Sequence, residues 1–325
     1  MAQKSKTPKP FTAALIQAGT VGFDTPKTLE KMADLAARAA SEKAKLAVFP
    51  EAFIGGYPKG MDFGIRLGSR TEEGRDWFRK YFESAIEVPG PETQAIGKIA
   101  RANNLYLAAG VIERGGSTLY CTVLFFDDQG KYLGKHRKLM PTVLERCLWG
   151  QGDGSTMPVL ETPLGKMGAV ICWENHMPLL RTAMYAKGIE LYLAPTVDDR
   201  EVWGPSMRHI AFEGRCFVLS PVQYSLRSDW PDDYPGDVPG EPGTVLINGG
   251  SCIVDPFGEY LAGPVFGEEA VLTAEIDLGE LPRARFDFDP VGHYSLPDIF
   301  KLTVDETPKP AIHTVTKPSK KGEKA

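Results

Sequence analysis

The chain has 325 residues, is 42% hydrophobic and carries a formal net charge of -5 at pH 7, so it can bury a large core as one layered domain or as two. The mildly acidic balance excludes a global electrostatic pull toward nucleic acid or an anionic membrane, which leaves small neutral or weakly charged partners. No apolar run reaches the roughly eighteen residues that span a bilayer, and MAQKSKTPKPF lacks the apolar core of a leader, so a cytoplasmic protein is expected.

In chain order, residues 1–10 are Lys and Pro rich and are expected to form a disordered tail. TAALIQA (12–18) reads as a buried strand, and Thr25-Pro26 opens a helix along which Leu29, Met32, Ala33, Ala36 and Ala40 recur at helical spacing. LAVFP (46–50) is a second short strand ended by proline. A helix over Pro91 to Asn103 precedes strands at LYLAAGVI (105–112), LYCTVLFF (119–126) and KYLGKHRKL (131–139). KMGAVIC (166–172) is a strand, Pro178 to Lys187 a helix stopped by Gly188, and IELYLAP (189–195) another strand. Pro205 to Gly214 reads as a helix before the strand CFVLSPV (216–222), while SCIVDPFGEYLAG (251–263) and AVLTAEI (270–276) suggest a closing antiparallel pair. Strands and helices alternate, but tight turns such as DDQG (127–130) and DPFG (255–258) join neighbouring strands, which favours mixed sheets covered by helices. With no linker or repeat, residues 11–303 form one domain and 304–325 a basic disordered tail. SDWPDDYPGDVPGEPG (228–243) is too long for a plain turn and reads as a lid, an interface loop or a disordered insertion.

The five cysteines (121, 147, 172, 216, 252) are widely spaced without a CxxC pair, and the five histidines are scattered, so neither a disulfide framework nor a metal site is indicated. Three features stand out chemically. Cys172 ends an apolar strand just before a polar cluster and a helix, where α/β layers present side chains to a crevice. Glu51 follows a buried strand inside AVFPEAF, where burial would raise its pKa and make it a usable base. In GKHRKLMPTVLERCLWG (134–150), strand alternation sends His136 and Lys138 to one face and Lys135 and Arg137 to the other. Glu145 is a second carboxylate in apolar company, flanked by Leu144 and Leu148, and is open to a partner such as Arg137 or Arg146. A thiol, an acid to take its proton and a cation to hold developing negative charge are complementary. A Cys–His dyad of Cys172 with His176, four residues on, is an alternative, as is a fold kept for small-molecule binding alone.

FPEAFIGGYP (49–58), HRKLMPTVLERCLWGQGDGS (136–155) and CWENHMPLLRTAMYAKG (172–188) closely resemble the nitrilase branch of the carbon-nitrogen hydrolase superfamily, and the likeness runs on through APTVDDREVW (194–203), SMRHIAFEGRCFVLS (206–220) and FDFDPVGHYS (286–295). The resemblance implies a four-layer αββα sandwich of two mixed sheets, and a cofactor-free hydrolysis of an organic nitrile to the acid and ammonia, with amide release or an amidase activity as alternatives. It implies Cys172 as nucleophile, Glu51 as base, Lys138 as the charge-stabilising residue and Glu145 as a fourth site residue. It also implies the Trp173 backbone N–H as a polarising donor, Tyr57 as pocket lining, and a homo-oligomer, a dimer or a larger spiral.

Overall fold

The computed structural model describes residues 9–234 and 240–312. Its strands are β1 (Phe11–Gln17), β2 (Ala44–Val48), β3 (Tyr106–Gly115), β4 (Thr118–Phe126), β5 (Tyr132–Arg137), β6 (Leu160–Thr162), β7 (Gly165–Ala169), β8 (Leu191–Leu193), β9 (Phe217–Ser220), β10 (Tyr224–Leu226), β11 (Val245–Val254), β12 (Tyr260–Phe266) and β13 (Ala270–Ile276). Helices are α1 (Thr25–Ser41), α2 (Glu72–Ser84), α3 (Pro91–Asn103), α4 (Pro178–Ala186), α5 (Trp203–Gly214) and the short α6 (Glu280–Ala284).

One sheet has the order β13-β1-β2-β3-β4-β5 and the other β10-β11-β9-β8-β7-β6, with β12 on β11. Each has a parallel centre, β1-β2-β3 and β7-β8-β9, and antiparallel margins, which makes both mixed. Period-two alternation divides the first sheet cleanly. Ala13 and Leu15 of β1, Leu46 and Val48 of β2 and Ala108 of β3 face the second sheet. Their neighbours Ala14, Ile16, Ala47, Leu107 and Ala109 pack instead with Met32 and Leu35 of α1 and Ile96 and Ala100 of α3. With α4 and α5 packed beside the second sheet, the order helix, sheet, sheet, helix matches the expected sandwich.

Local signals account for most elements. Asp24 caps α1 by accepting the Lys27 N–H, with Pro26 in the first turn. The buried stripe of α1 is Thr28, Met32, Leu35, Ala36 and Ala39, turned slightly from the one expected. Asp127 and Asp255 tie the two predicted hairpin turns by each accepting two backbone N–H groups.

Three differences have physical reasons. The segments 251–263 and 270–276 do not pair: the first is the β11–β12 hairpin of one sheet, whereas β13 crosses to pair antiparallel with β1 in the other. Helix α2 was not anticipated, because Gly74, Trp77, Tyr81 and Ser84 make its buried face from glycine, serine and bulky aromatics rather than an aliphatic stripe. Finally, Trp230 and Tyr234 of the 228–243 loop are buried and stack on each other at 4.8 Å, so this part is docked, while 235–239 lie outside the described residues. Residues 304–312 are exposed, yet Lys309 donates its N–H to Asp153 and Glu306 pairs with Lys187; the rest of the C-terminal tail and residues 1–8 lie outside the described residues.

Candidate active site

Topology brings the reactive groups to one end of the sandwich. Strands β2 and β3 are parallel, and β5, two antiparallel steps from β3, runs the same way as both. Glu51 just beyond β2 and Lys138 just beyond β5 therefore emerge together, and Cys172 follows β7 from the facing sheet.

The chain leaves the β2–β3 ladder after the Phe49 N–H bonds Ala108 O and rejoins it where the Ile54 N–H bonds Gly110 O. Glu51 sits in this bulge with Ala52 in the left-handed region at φ 51°. Glycine at 110 makes the bulge possible, since a Cβ there would stand 2.1 Å from Pro50 O and 2.8 Å from Glu51 Cα. Gly110→Ala is expected to push Glu51 out of place and lower kcat by about a hundredfold, because a shift of an ångström in a positioned group has that effect; steady-state kinetics at saturating substrate checks it.

Cys172 opens a 3-10 turn (Cys172–His176) with φ at 52°, a strained conformation for a residue with a Cβ. Its N–H bonds Pro195 O, and the Asn175 side chain ties the turn by donating to the Val170 and Cys172 carbonyls. As second residue of the turn, Trp173 offers an N–H with no carbonyl partner inside it.

The acid, cation and thiol meet as the sequence suggested. Lys138 Nζ donates to Glu51 Oε1 at 2.7 Å and to Glu145 Oε2 at 2.9 Å, with the Lys138 and Glu51 side chains wholly inaccessible. Glu145 thus takes Lys138, not Arg137 or Arg146, and also accepts from Tyr57 OH at 2.8 Å and from the Thr142 N–H at 2.6 Å. The other face of the basic run behaves as alternation requires, Lys135 and Arg137 both pairing with buried Glu113. Glu51 Oε2 finds no hydrogen-bond partner among the described residues. Burial pushes the Glu51 carboxyl up; Lys138 pulls against this and Glu145 adds to it. Burial also opposes a charge on Lys138, but Glu51 and the surrounding acidic groups outweigh it and hold the amine protonated. The Cys172 thiol is pushed up by burial and then by Glu51, so at rest it keeps its proton.

The thiol opens into a cavity of about 250 Å³ lined by Tyr57, Lys59, Glu145, Cys172, Trp173 and Arg200, among others. A second hollow of about 270 Å³ adjoins it across Tyr57 and Glu145. Trp173 is 40% exposed and forms the outer wall, its Nε1–H donating to Asp198 at 2.9 Å and the Arg200 guanidinium lying 4.9 Å above its ring. All six residues singled out from the sequence are therefore at one place. His176 is not among them: it is exposed, edge-on to Trp173 and Trp203, and no hydrogen bond joins it to Cys172 among the described residues.

Sequence reasoning missed Glu174. Its carboxylate is buried and accepts from Ile171 N–H at 2.8 Å at the start of the Cys172 turn and from Leu139 N–H at 2.6 Å beside Lys138. His136 Nε2 reaches the same carboxylate at 3.0 Å while Nδ1 faces Thr156 O at 2.6 Å. A carbonyl only accepts, so Nδ1 carries a proton, and the Glu174 carboxylate outweighs burial to raise the His136 pKa, which makes the ring a double donor. The alternation that put His136 on the inner face was the available signal. Glu174→Gln turns an acceptor into a donor facing these groups and is expected to lower stability by about 1–3 kcal/mol. A raised histidine pKa stabilises fully below the ordinary histidine range and fades as pH rises from that range through the folded-state value, so wild-type Tm should fall more steeply over this interval than that of the variant. Thermal melts across pH check both.

Among the described residues no helix is long and apolar enough to cross a membrane, and no group of three or more His, Cys, Asp or Glu is placed to hold a metal.

With this geometry in view, residues 12–286 match the carbon-nitrogen hydrolase family. The chain belongs to that family. It is 57% identical over 315 residues to nitrilase 2 of Arabidopsis thaliana, covering 95% of this chain and 92% of the relative. It is 57% identical to an aliphatic nitrilase of Sinorhizobium fredii, with coverage of 94% and 98%, and 58% identical to a bifunctional nitrilase/nitrile hydratase of Lupinus angustifolius, with coverage of 91% and 86%. Among solved structures, a carbon-nitrogen hydrolase from Helicobacter pylori shares the fold at a TM-score of 0.69 and 23% identity, covering 90% of this chain and 97% of that one. An amidase from Nesterenkonia sp. does so at 0.63 and 21%, with coverage of 87% and 95%.

Proposed function

We propose that this protein is a nitrilase, hydrolysing a small organic nitrile to the carboxylic acid and ammonia through a covalent bond to Cys172. The observation that carries the reading is the meeting of Glu51, Lys138, Glu145 and Cys172 beside one small cavity. Nitrilase relatives that match more than nine-tenths of the chain support the activity.

In this reading Glu51 takes the Cys172 proton as the sulfur adds to the nitrile carbon, and the resulting thioimidate nitrogen gains a proton. The Lys138 ammonium and the Trp173 N–H stabilise the negative charge that develops on nitrogen. Glu51, its carboxylate regenerated, takes a proton from a water that adds to the same carbon. Expulsion of ammonia leaves a thioester, and a second water releases the acid and restores the thiol. Glu145 holds Lys138 in place, while Tyr57 and the Thr142 N–H fix Glu145. If the tetrahedral intermediate expels sulfur instead, the product is an amide; the bifunctional nitrilase/nitrile hydratase name of the lupin relative favours some flux along this branch. A cavity of about 250 Å³ suits a compact nitrile, because sites for drug-sized ligands start near 300 Å³.

The test is a panel of matched nitriles and amides scored for ammonia, acid and amide, with the mass of Cys172-bearing peptides after a quench. Acid and ammonia from nitriles, with an acyl or imidate adduct on Cys172, are expected. Turnover of amides alone would sink the reading.

The same reading takes residues 11–303 as a single hydrolase domain, consistent with one hydrophobic core shared by both sheets. It places the protein in the cytoplasm, where its five unpaired cysteines would stay reduced. It also makes it a homo-oligomer, a dimer or larger spiral; Leu179 on α4 and Phe212 on α5, 69% and 50% exposed, support this, and light scattering tests it.

A further inference from the structure

We infer that Cys121 is a positioning residue for the base: its thiol donates to Oε1 of Glu51, shares that oxygen with Lys138, and leaves Oε2 as the atom that receives the Cys172 proton. This rests on the reading of Glu51 as the base.

Cys121 lies on β4, on the face turned to the second sheet, and is 1% exposed. Its Sγ stands 3.4 Å from Glu51 Oε1, which also accepts from Lys138 Nζ at 2.7 Å. The Cys121 carbonyl meanwhile accepts the Lys138 backbone N–H at 2.8 Å. One residue therefore braces the acid with its side chain and the cation with its backbone. With Oε1 occupied by two donors, Oε2 is the oxygen without a hydrogen-bond partner among the described residues. Cys216 and Cys252 are equally buried, yet neither sulfur makes a hydrogen bond to a carboxylate among the described residues, so the contact is not a general consequence of burying cysteine here.

A second nucleophile is not the role. Cys121 lines neither hollow at the site, and burial followed by the Glu51 charge keeps its proton in place. What remains is an S–H donor, weaker than a hydroxyl. That weakness has a use: a strong donor would stabilise the carboxylate and lower its proton affinity, making it a poorer base, whereas a methyl group would leave the carboxyl held by Lys138 alone.

The test compares full-length Cys121→Ser and Cys121→Ala, with Glu51→Gln as control, by kcat and KM on one nitrile across pH, normalised to the Cys172 sites that an alkylating agent labels, mapped by peptide mass. Glu51 acts deprotonated, so activity rises with pH through its pKa. Cys121→Ser should keep kcat within about threefold and move the acid limb of kcat/KM down by about half a pH unit, as a stronger donor to a carboxylate requires. Cys121→Ala should lower kcat about tenfold with KM within about twofold and move the limb up, since only transition-state alignment is lost. Limbs unmoved in both variants, or moved in the same direction, overturn the inference; if Cys121→Ala fails to fold, an unmoved limb in Cys121→Ser does so alone. Activity retained by Glu51→Gln would remove the base itself, whereas an inactive Glu51→Gln beside unmoved limbs in the Cys121 variants removes only the role of Cys121.

Discussion

Cys172→Ala is expected to lower kcat by about four orders of magnitude or more, since the covalent route is lost and no neighbouring group can replace sulfur as nucleophile. Glu51 and Lys138 remain, but water would have to attack the nitrile carbon without the pocket having been shaped for it. The fold should not suffer. Alanine tolerates the left-handed backbone at this position no worse than cysteine, and losing one buried sulfur leaves only a small void beside Glu51, so Tm should change little. Initial rates with sensitive ammonia detection, together with a thermal melt, separate a lost nucleophile from a lost structure. Residual activity within tenfold of wild type would mean that another group performs the attack.

Lys138→Met should be nearly as severe for activity and worse for stability. The ammonium is the only cation that pairs with Glu51 or Glu145 among the described residues. Without it two acids face each other in a dry site, and the cheaper outcome is for Glu51 to keep its proton. A protonated Glu51 cannot accept one from Cys172, and the donor that offsets charge on the substrate nitrogen is gone, so kcat should drop roughly a thousandfold. Breaking a buried pair by deleting one partner should also lower stability by about 3 kcal/mol. What remains of the activity should rise with pH over a higher range than in wild type, because the base now ionises later. A pH-rate profile and a denaturant titration report the two effects separately.

Most of the candidate site is legible in the sequence. Glu51 and Cys172 each interrupt an apolar strand with a reactive group at its end, and strand alternation separated Lys138 and His136 from Lys135 and Arg137. What the sequence did not disclose was pairing at a distance. Nothing in CWENH says that Glu174 reaches across to Leu139 and His136, because that contact depends on how two sheets face each other, and Cys121 looks like any small core residue until its sulfur is seen against Glu51. The exchange of partners at the C-terminal strands has the same origin. A run such as AVLTAEI carries enough β-branched and apolar content to be a strand, but not the identity of its neighbour, and tertiary packing sent it to β1. Aromatic-faced α2 escaped because its period is carried by glycine, serine and ring systems.

Glu51 and Lys138 belong to one sheet and Cys172 to the other, and polar contacts that cross between the sheets, among them Glu174 to the Leu139 N–H and Gln223 to the Glu51 carbonyl, hold the two sides in register. Catalytic competence is therefore a gauge of how the halves of the sandwich are aligned. In mild denaturant, turnover should disappear while the circular dichroism of helices and strands is still intact, since sliding of intact layers by an ångström is enough to part sulfur from its base.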